Sequence, residues 1–218
     1  GALAQVEAEG FIHDVLGTRV RAGAVVTGED FTFGRGRRGT VATMAALCGA
    51  AGIAVEAVGP VADAGGVISS SRIRDALAAG EPEAATALLT RPFTIAGPVI
   101  HGDKRGRTIG YPTANMLLGD YLRPAYGIYA VRGRLAGGEW VDGVANLGIR
   151  PTFDPPVELL ETHLFDVAPD LYGQELEVAL ISFLRAEARF DGLEALVAQM
   201  DADSREARRR LAALPPLP

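Results

Sequence analysis

The sequence predicts two architectures in tandem: a parallel α/β segment, then an antiparallel β barrel or sandwich followed by a helical tail. Three observations predict this. From Gly10 to about Arg91, apolar residues recur alternately at helical and at strand spacing, the pattern of a parallel sheet with crossover helices. After Arg91-Pro92, apolar runs follow one another with Gly, Pro and Asp turns and no helical stretch between them, which favours antiparallel pairing. Beyond Asp191 the spacing becomes helical again.

In the first half, Phe11, Ile12, Val15 and Leu16 share a helical face, and Ala22 to Thr27 is a short apolar run before Gly28. Thr40 to Ala51 reads as a helix ended by Gly52, and Ile53 to Val58 as a strand. Ser71 to Ala79 reads as a helix stopped by Gly80, and Pro82 opens another that runs to Leu89. The boundary falls near residue 91, which gives domains 1–91 and 92–218. With two or three strands before that boundary, the first half reads as the back portion of something larger. In the second half, strands are predicted at Phe93 to Ile100, Gly127 to Leu135, Trp140 to Leu147, Leu159 to Val167 and Leu176 to Leu184. In the tail, Asp191 and Glu194 have capping-box spacing, and Leu193, Leu196, Val197 and Met200 line one face.

Composition narrows the function classes. Of 218 residues, 48% are hydrophobic and 22% charged, as in a folded domain rather than a disordered one. No apolar run reaches 18 residues, and the first residues lack the basic and apolar regions of a signal peptide, so a cytoplasmic protein is expected. A single cysteine, Cys48, excludes an intramolecular disulfide and a cysteine-based zinc site; a small buried core residue is its expected role. The formal charge of −6 disfavours a general nucleic-acid or anionic-membrane binder. Two local basic clusters, Arg35 to Arg38 and His101 to Arg107, are glycine-rich. They suit loops gripping a small polyanion.

The segment His101-Gly102-Asp103-Lys104-Arg105-Gly106-Arg107-Thr108-Ile109-Gly110-Tyr111-Pro112-Thr113-Ala114-Asn115 concentrates the chemistry. Glycine lets backbone N–H groups approach an anion, and Lys and Arg neutralise it. This segment carries neither a Walker ending nor a Rossmann fingerprint, and by composition alone a solvated basic loop is the better fit. Thr113 and Asn115 are two apart, so on an extended strand both side chains point the same way. Their oxygens are hard donors of the kind Mg²⁺ accepts beside phosphate and water. A turn held by their hydrogen bonds is the alternative.

Gly-Arg-Thr-Ile-Gly-Tyr-Pro-Thr-Ala-Asn resembles the signature of the riboflavin kinase family. Gly127-Ile128-Tyr129, Asn146-Leu147-Gly148 with Pro151-Thr152-Phe153, Glu161-Thr162-His163-Leu164-Phe165-Asp166, Leu171-Tyr172-Gly173, and Leu184-Arg185-Ala186-Glu187 with Phe190 are similar to further family motifs in the same order. The resemblance implies a Greek-key β barrel with a C-terminal helix, and transfer of phosphate from ATP to riboflavin with Mg²⁺. It implies Glu161 as the base, Thr113 and Asn115 placing the metal, and a phosphate loop that includes Gly102, Lys104, Arg107 and Gly110. Arg185 and Glu187 are candidates for flavin contact, or equally for a surface ion pair. No role is carried over to His163.

Upstream, Val67-Ile68-Ser69-Ser70-Ser71-Arg72-Ile73-Arg74 is similar to an adenylyltransferase motif, and Gly28-Glu29-Asp30-Phe31-Thr32-Phe33-Gly34 with Arg37-Arg38-Gly39 resembles the matching loop of bacterial FAD synthetase domains. The first half is then expected to be part of a Rossmann-like nucleotidyltransferase domain, with Ser70, Ser71 and Arg74 at a nucleotide-phosphate site. Taken alone, Ser-Ser before a helix is more often just an N-cap. The whole chain resembles the bifunctional riboflavin kinase/FAD synthetase family. That family also carries a His-x-Gly-His type motif, whereas the histidines here are His13, His101 and His163. The chain is therefore expected to begin partway through that domain and to make FMN without FAD. The implied partners are small molecules (riboflavin, FMN and ATP), with no nucleic acid or membrane; the oligomeric state stays open. A non-catalytic flavin- or nucleotide-binding module and a nucleic-acid-binding barrel are the competing classes.

Overall fold

The computed structural model describes residues 2–102, 106, 109–150, 157–167 and 171–218. The chain divides into two compact units, Gly1–Ile68 and Ser69–Pro218. In the first, a helix α1 enters at Ala8–Gly10 and continues as a wider, π-type helix over Phe11–Val20. Then come β1 (Ala24–Gly28), α2 (Val41–Ala50) and β2 (Ala54–Val58). The strands pair in parallel, Ala24 opposite Ala54, so α2 is a crossover helix. Thr40 caps it, its hydroxyl accepting the Thr43 N–H at 3.3 Å. Ile12, Phe33, Met44, Cys48 and Ile53 form the core. Burial pushes the Cys48 thiol up, as befits a side chain packed for its volume. A hairpin of β3 (Ala62–Asp63) and β4 (Gly66–Val67) follows. Its two-residue strands are too short to leave a periodic signal in the sequence. Two parallel strands fit the α/β reading, while a Rossmann-like sheet goes beyond what they establish.

The second unit opens with α3 (Ser70–Ala78) and α4 (Pro82–Leu89), which pack on each other. Gly80, at φ +76°, takes the left-handed turn between them that a side chain would resist. Next come β5 (Phe93–Pro98), β6 (Ala114–Leu117), β7 (Gly127–Leu135), β8 (Val141–Arg150), β9 (Val157–Leu164) and β10 (Glu175–Arg185), then the helix α5 (Leu193–Ala212). Among the described residues these strands form one antiparallel sheet in the order β5-β10-β7-β8-β9-β6. A bridge between Ile100 and Asn115 brings its two edges together, so the barrel is nearly closed.

Strand alternation sorts the residues. Tyr129 and Val131, Ala145 and Leu147, Leu160 and Leu164, and Leu176, Val178 and Leu180 fill the barrel. Ala130, Ala179 and Ile181 point outward and pack with Ala207 and Leu211 of α5. The predicted capping box is not formed. Gly192 occupies the N-cap of α5 without a side-chain bond, and Leu193 is exposed.

One barrel contact gives a pH prediction. The Arg123 guanidinium, bonded to Glu158 at 2.7 and 2.9 Å, and then the Tyr126 hydroxyl hold the Glu158 carboxyl below the usual carboxylate range. A lowered folded value means the unfolded chain takes up the proton first. The contribution is thus complete above roughly pH 4.3 and fades as pH falls through the folded value. Glu158→Gln should therefore melt closer to wild type at pH 3 than at pH 6. An unchanged gap between the two melting curves would contradict this.

Candidate functional site

A cavity of about 430 Å³ lies in the Ser69–Pro218 unit, within the size range of small-molecule sites. Alternation explains its floor. On β9 the even residues Leu160 and Leu164 enter the barrel, so Leu159, Glu161 and His163 share the other face and line the cavity. On β8 the same rule sends Val144, Asn146 and Arg150 to the cavity, and on β6 it sends Asn115 there. Leu196, Met200 and Asp203 of α5, with Glu187, Ala188 and Phe190 before it, form another wall.

Register gathers these residues into a row. Asn115 on β6 stands opposite Glu161 on β9, which stands opposite Asn146 on β8. Asn146 is opposite Ile128 on β7, and Ile128 is opposite Arg185 on β10. All five line the cavity. Directly opposed residues of antiparallel strands lie about 4.5–5.5 Å apart at Cα, so an amide, a carboxylate and a second amide follow one another across three strands.

Gly102 is seated on this row. Gly102 lies so close to Asn115 that an added Cβ would stand 2.6 Å from Nδ2. Gly102 and Gly106 line the cavity, whereas Gly110 forms a turn at φ +83° outside the lining. Lys104 and Arg107 lie outside the described residues. Asn115 donates from Nδ2 to the Thr113 carbonyl at 3.4 Å, leaving Oδ1 as its acceptor end. The Thr113 side chain joins it in the cavity lining. No cluster of three His, Cys, Asp or Glu side chains that could hold a metal occurs among the described residues. The two neutral oxygens of Thr113 and Asn115 suit a hard cation that brings phosphate oxygens and water as its remaining ligands.

Arg150 and Glu161 form an ion pair in the cavity wall. The Arg185 guanidinium is held by Asp203 of α5 through bonds of 2.7, 2.9 and 3.2 Å, and Gln199 adds a bond to the same carboxylate at 2.9 Å. Arg185 therefore ties α5 over the cavity while lining it. His163 Nδ1 lies 2.8 Å from the Pro112 carbonyl and so donates its proton there, in the turn that leads to Thr113. Tyr111 packs on the same ring and donates to Asp201 of α5. Burial, then the bond to Asp201, pushes its phenol up.

Ser70, Ser71 and Arg74 are not brought to this cavity. They are exposed in the first turns of α3, Arg74 donating to Ser71 Oγ at 3.1 Å. The capping residue is Ser69, whose hydroxyl accepts the Arg72 N–H at 3.3 Å. Sequence reasoning missed Arg150, Tyr111, His163, Asn146 and Tyr172 as lining residues. Arg150 was out of reach because the strand predicted from sequence ends at Leu147, whereas β8 runs on to Arg150 and so puts it on the face of Asn146.

Comparison with known proteins agrees with this architecture. A model of the riboflavin kinase family matches residues 89–211, and one of FAD synthetase matches residues 1–72. The chain is 40% identical over 205 residues to the bifunctional riboflavin kinase/FMN adenylyltransferase of Escherichia coli strain K12, covering 94% of this chain and 66% of that protein. It is 42% identical over 189 residues to the protein of that name from Bacillus subtilis strain 168, covering 84% and 59%. It thus spans about two thirds or less of these relatives' length. A crystal structure of a macrolide-efflux protein from Streptococcus pneumoniae superposes with a TM-score of 0.79 at 36% identity, covering 96% of this chain and 67% of that one. No helix among the described residues is long and apolar enough to cross a membrane. With the riboflavin kinase match covering more than half of its residues, and with the barrel, loop and helix described above, the chain belongs to the riboflavin kinase family.

Proposed function

We propose that this chain transfers the terminal phosphate of ATP to the primary hydroxyl of riboflavin, giving FMN and ADP. The observation that carries the reading is the cavity row in which Glu161 stands opposite Asn115, with Thr113 in the same lining. Phosphoryl transfer needs little covalent help from a protein. It needs positioned phosphates, neutralised charge and a base that orients the nucleophile. Glu161 accepts the proton of the riboflavin hydroxyl as its oxygen bonds to the γ-phosphorus; the bond from that phosphorus to the β-bridging oxygen breaks, and ADP leaves. Thr113 and Asn115 would hold a divalent cation such as Mg²⁺, which when bound would neutralise phosphate charge.

Gly102, Lys104, Arg107 and Gly110 serve the phosphates, and Arg185 borders the flavin while fixing α5. We place the boundary between the two family segments near residue 91, a reading supported by the start of the riboflavin kinase match at residue 89, although the compact units divide at Ile68 and Ser69. Ser70, Ser71 and Arg74 we assign to a separate adenylyltransferase site; the FAD synthetase match over residues 1–72 takes in the two serines and ends just before Arg74.

Ligand-induced stabilisation tests the reading. At a hundredfold excess over Kd, each ligand of the folded state adds about 2.7 kcal/mol, or several degrees of melting temperature for a protein of this size. Mg-ADP and riboflavin should each raise the melting temperature, and a single-stranded oligonucleotide should not. A response to the oligonucleotide alone would overturn the proposal.

A further inference from the structure

Among the described residues, three buried side-chain oxygens lack a hydrogen-bond partner: Asn146 Oδ1, Thr162 Oγ1 and Ser204 Oγ. Thr162 stands in register with Ala114 and Ala145, both in the barrel core, where no ligand reaches it. Ser204 does not line the cavity, and Asn146 does. A desolvated amide oxygen without a donor destabilises the protein that carries it. The Asn146 side chain lines the cavity while its Oδ1 is covered, so a turn of the carboxamide toward a bound ligand is what would give that oxygen the donor it lacks.

We infer that Asn146 reads the polyol chain of the phosphate acceptor, its carboxamide taking a secondary hydroxyl a few carbons from the reacting one. This rests on the phosphotransfer reading above. Asn146 is the immediate cross-strand neighbour of Glu161, so a chain whose terminal hydroxyl meets the carboxylate passes the amide next. The row then passes the apolar Ile128 and ends at Arg185, which suits a ligand that is polyol at one end and carries an apolar ring with polar edge groups at the other. The reading makes Asn146 a specificity residue. An acceptor lacking chain hydroxyls would leave the amide orphaned, and sites built this way discriminate strongly.

The test uses Asn146→Leu and Asn146→Val in the full chain, titrated by quenching of flavin fluorescence with riboflavin and with lumiflavin, which carries no polyol chain. Riboflavin affinity should fall about tenfold, with KM for riboflavin rising in step and KM for ATP unchanged. Lumiflavin affinity should stay as in wild type. The melting temperature should hold or rise, because an apolar side chain replaces an orphaned acceptor. Unchanged riboflavin affinity, an equal loss for both flavins, or a lower melting temperature in both variants would overturn the inference. If wild type quenches neither flavin, the phosphotransfer reading falls and takes this inference with it.

Discussion

Glu161→Gln should lower kcat for FMN formation by roughly 10²- to 10⁴-fold, the usual contribution of a positioned general base, while the affinities for riboflavin and Mg-ADP change little. Glutamine keeps the size and one acceptor oxygen of the carboxylate but takes up no proton. The fold should tolerate the change. The partner, Arg150, has a side chain that is 40% exposed, so water can solvate the guanidinium once the pair is lost, at a cost of about 1 kcal/mol or less. The split between lost turnover and retained binding is the diagnostic. Stopped-assay kinetics beside fluorescence titrations would show it, and a variant with near-wild-type kcat would remove Glu161 from the chemistry.

The largest stability effect should come from Arg132→Met. Arg132 is only 6% exposed, and it donates to Asp142 Oδ1 at 2.9 Å, to the Leu211 and Leu214 carbonyls at 3.1 and 3.2 Å, and to the Pro215 carbonyl. These carbonyls belong to the last turn of α5 and the chain just beyond it, where a helix leaves acceptors unmatched and favours positive charge. Methionine preserves much of the apolar stem but supplies no donors. The expected loss is about 3 kcal/mol, which corresponds to roughly 10 °C of melting temperature for a protein of this size. Asp142→Asn removes only the half-exposed partner and should lose far less. Because α5 brings Leu196, Met200 and Asp203 to the cavity, loosening its C-terminal end should also raise KM for riboflavin. A melting temperature within a degree or two of wild type would show that water replaces the clamp.

Residues near one another in sequence were the legible ones. Thr113 and Asn115 share a face because they are two apart on a strand, and Glu161 opposes Leu160 because alternation has period two. Both follow from local geometry. The row Asn115–Glu161–Asn146 was not legible, because it depends on pairing between strands far apart in sequence, and a slip of one residue would turn each side chain to the other face. Arg185 shows another limit. Its sequence context allowed a flavin contact or an ion pair, and only the placement of α5 over the barrel reveals that Asp203 holds it. Ser69 rather than Ser70 or Ser71 caps α3, since three consecutive serines carry the same local signal.

The most direct measurement of the central claim is the product itself. The protein would be incubated with riboflavin, ATP and Mg²⁺, and the flavins and nucleotides separated by chromatography, with Glu161→Gln alongside. The proposed reaction predicts FMN and ADP in equal amounts with wild type and almost none with the variant. Riboflavin recovered unchanged from wild type, or FMN formed equally by both proteins, would contradict it.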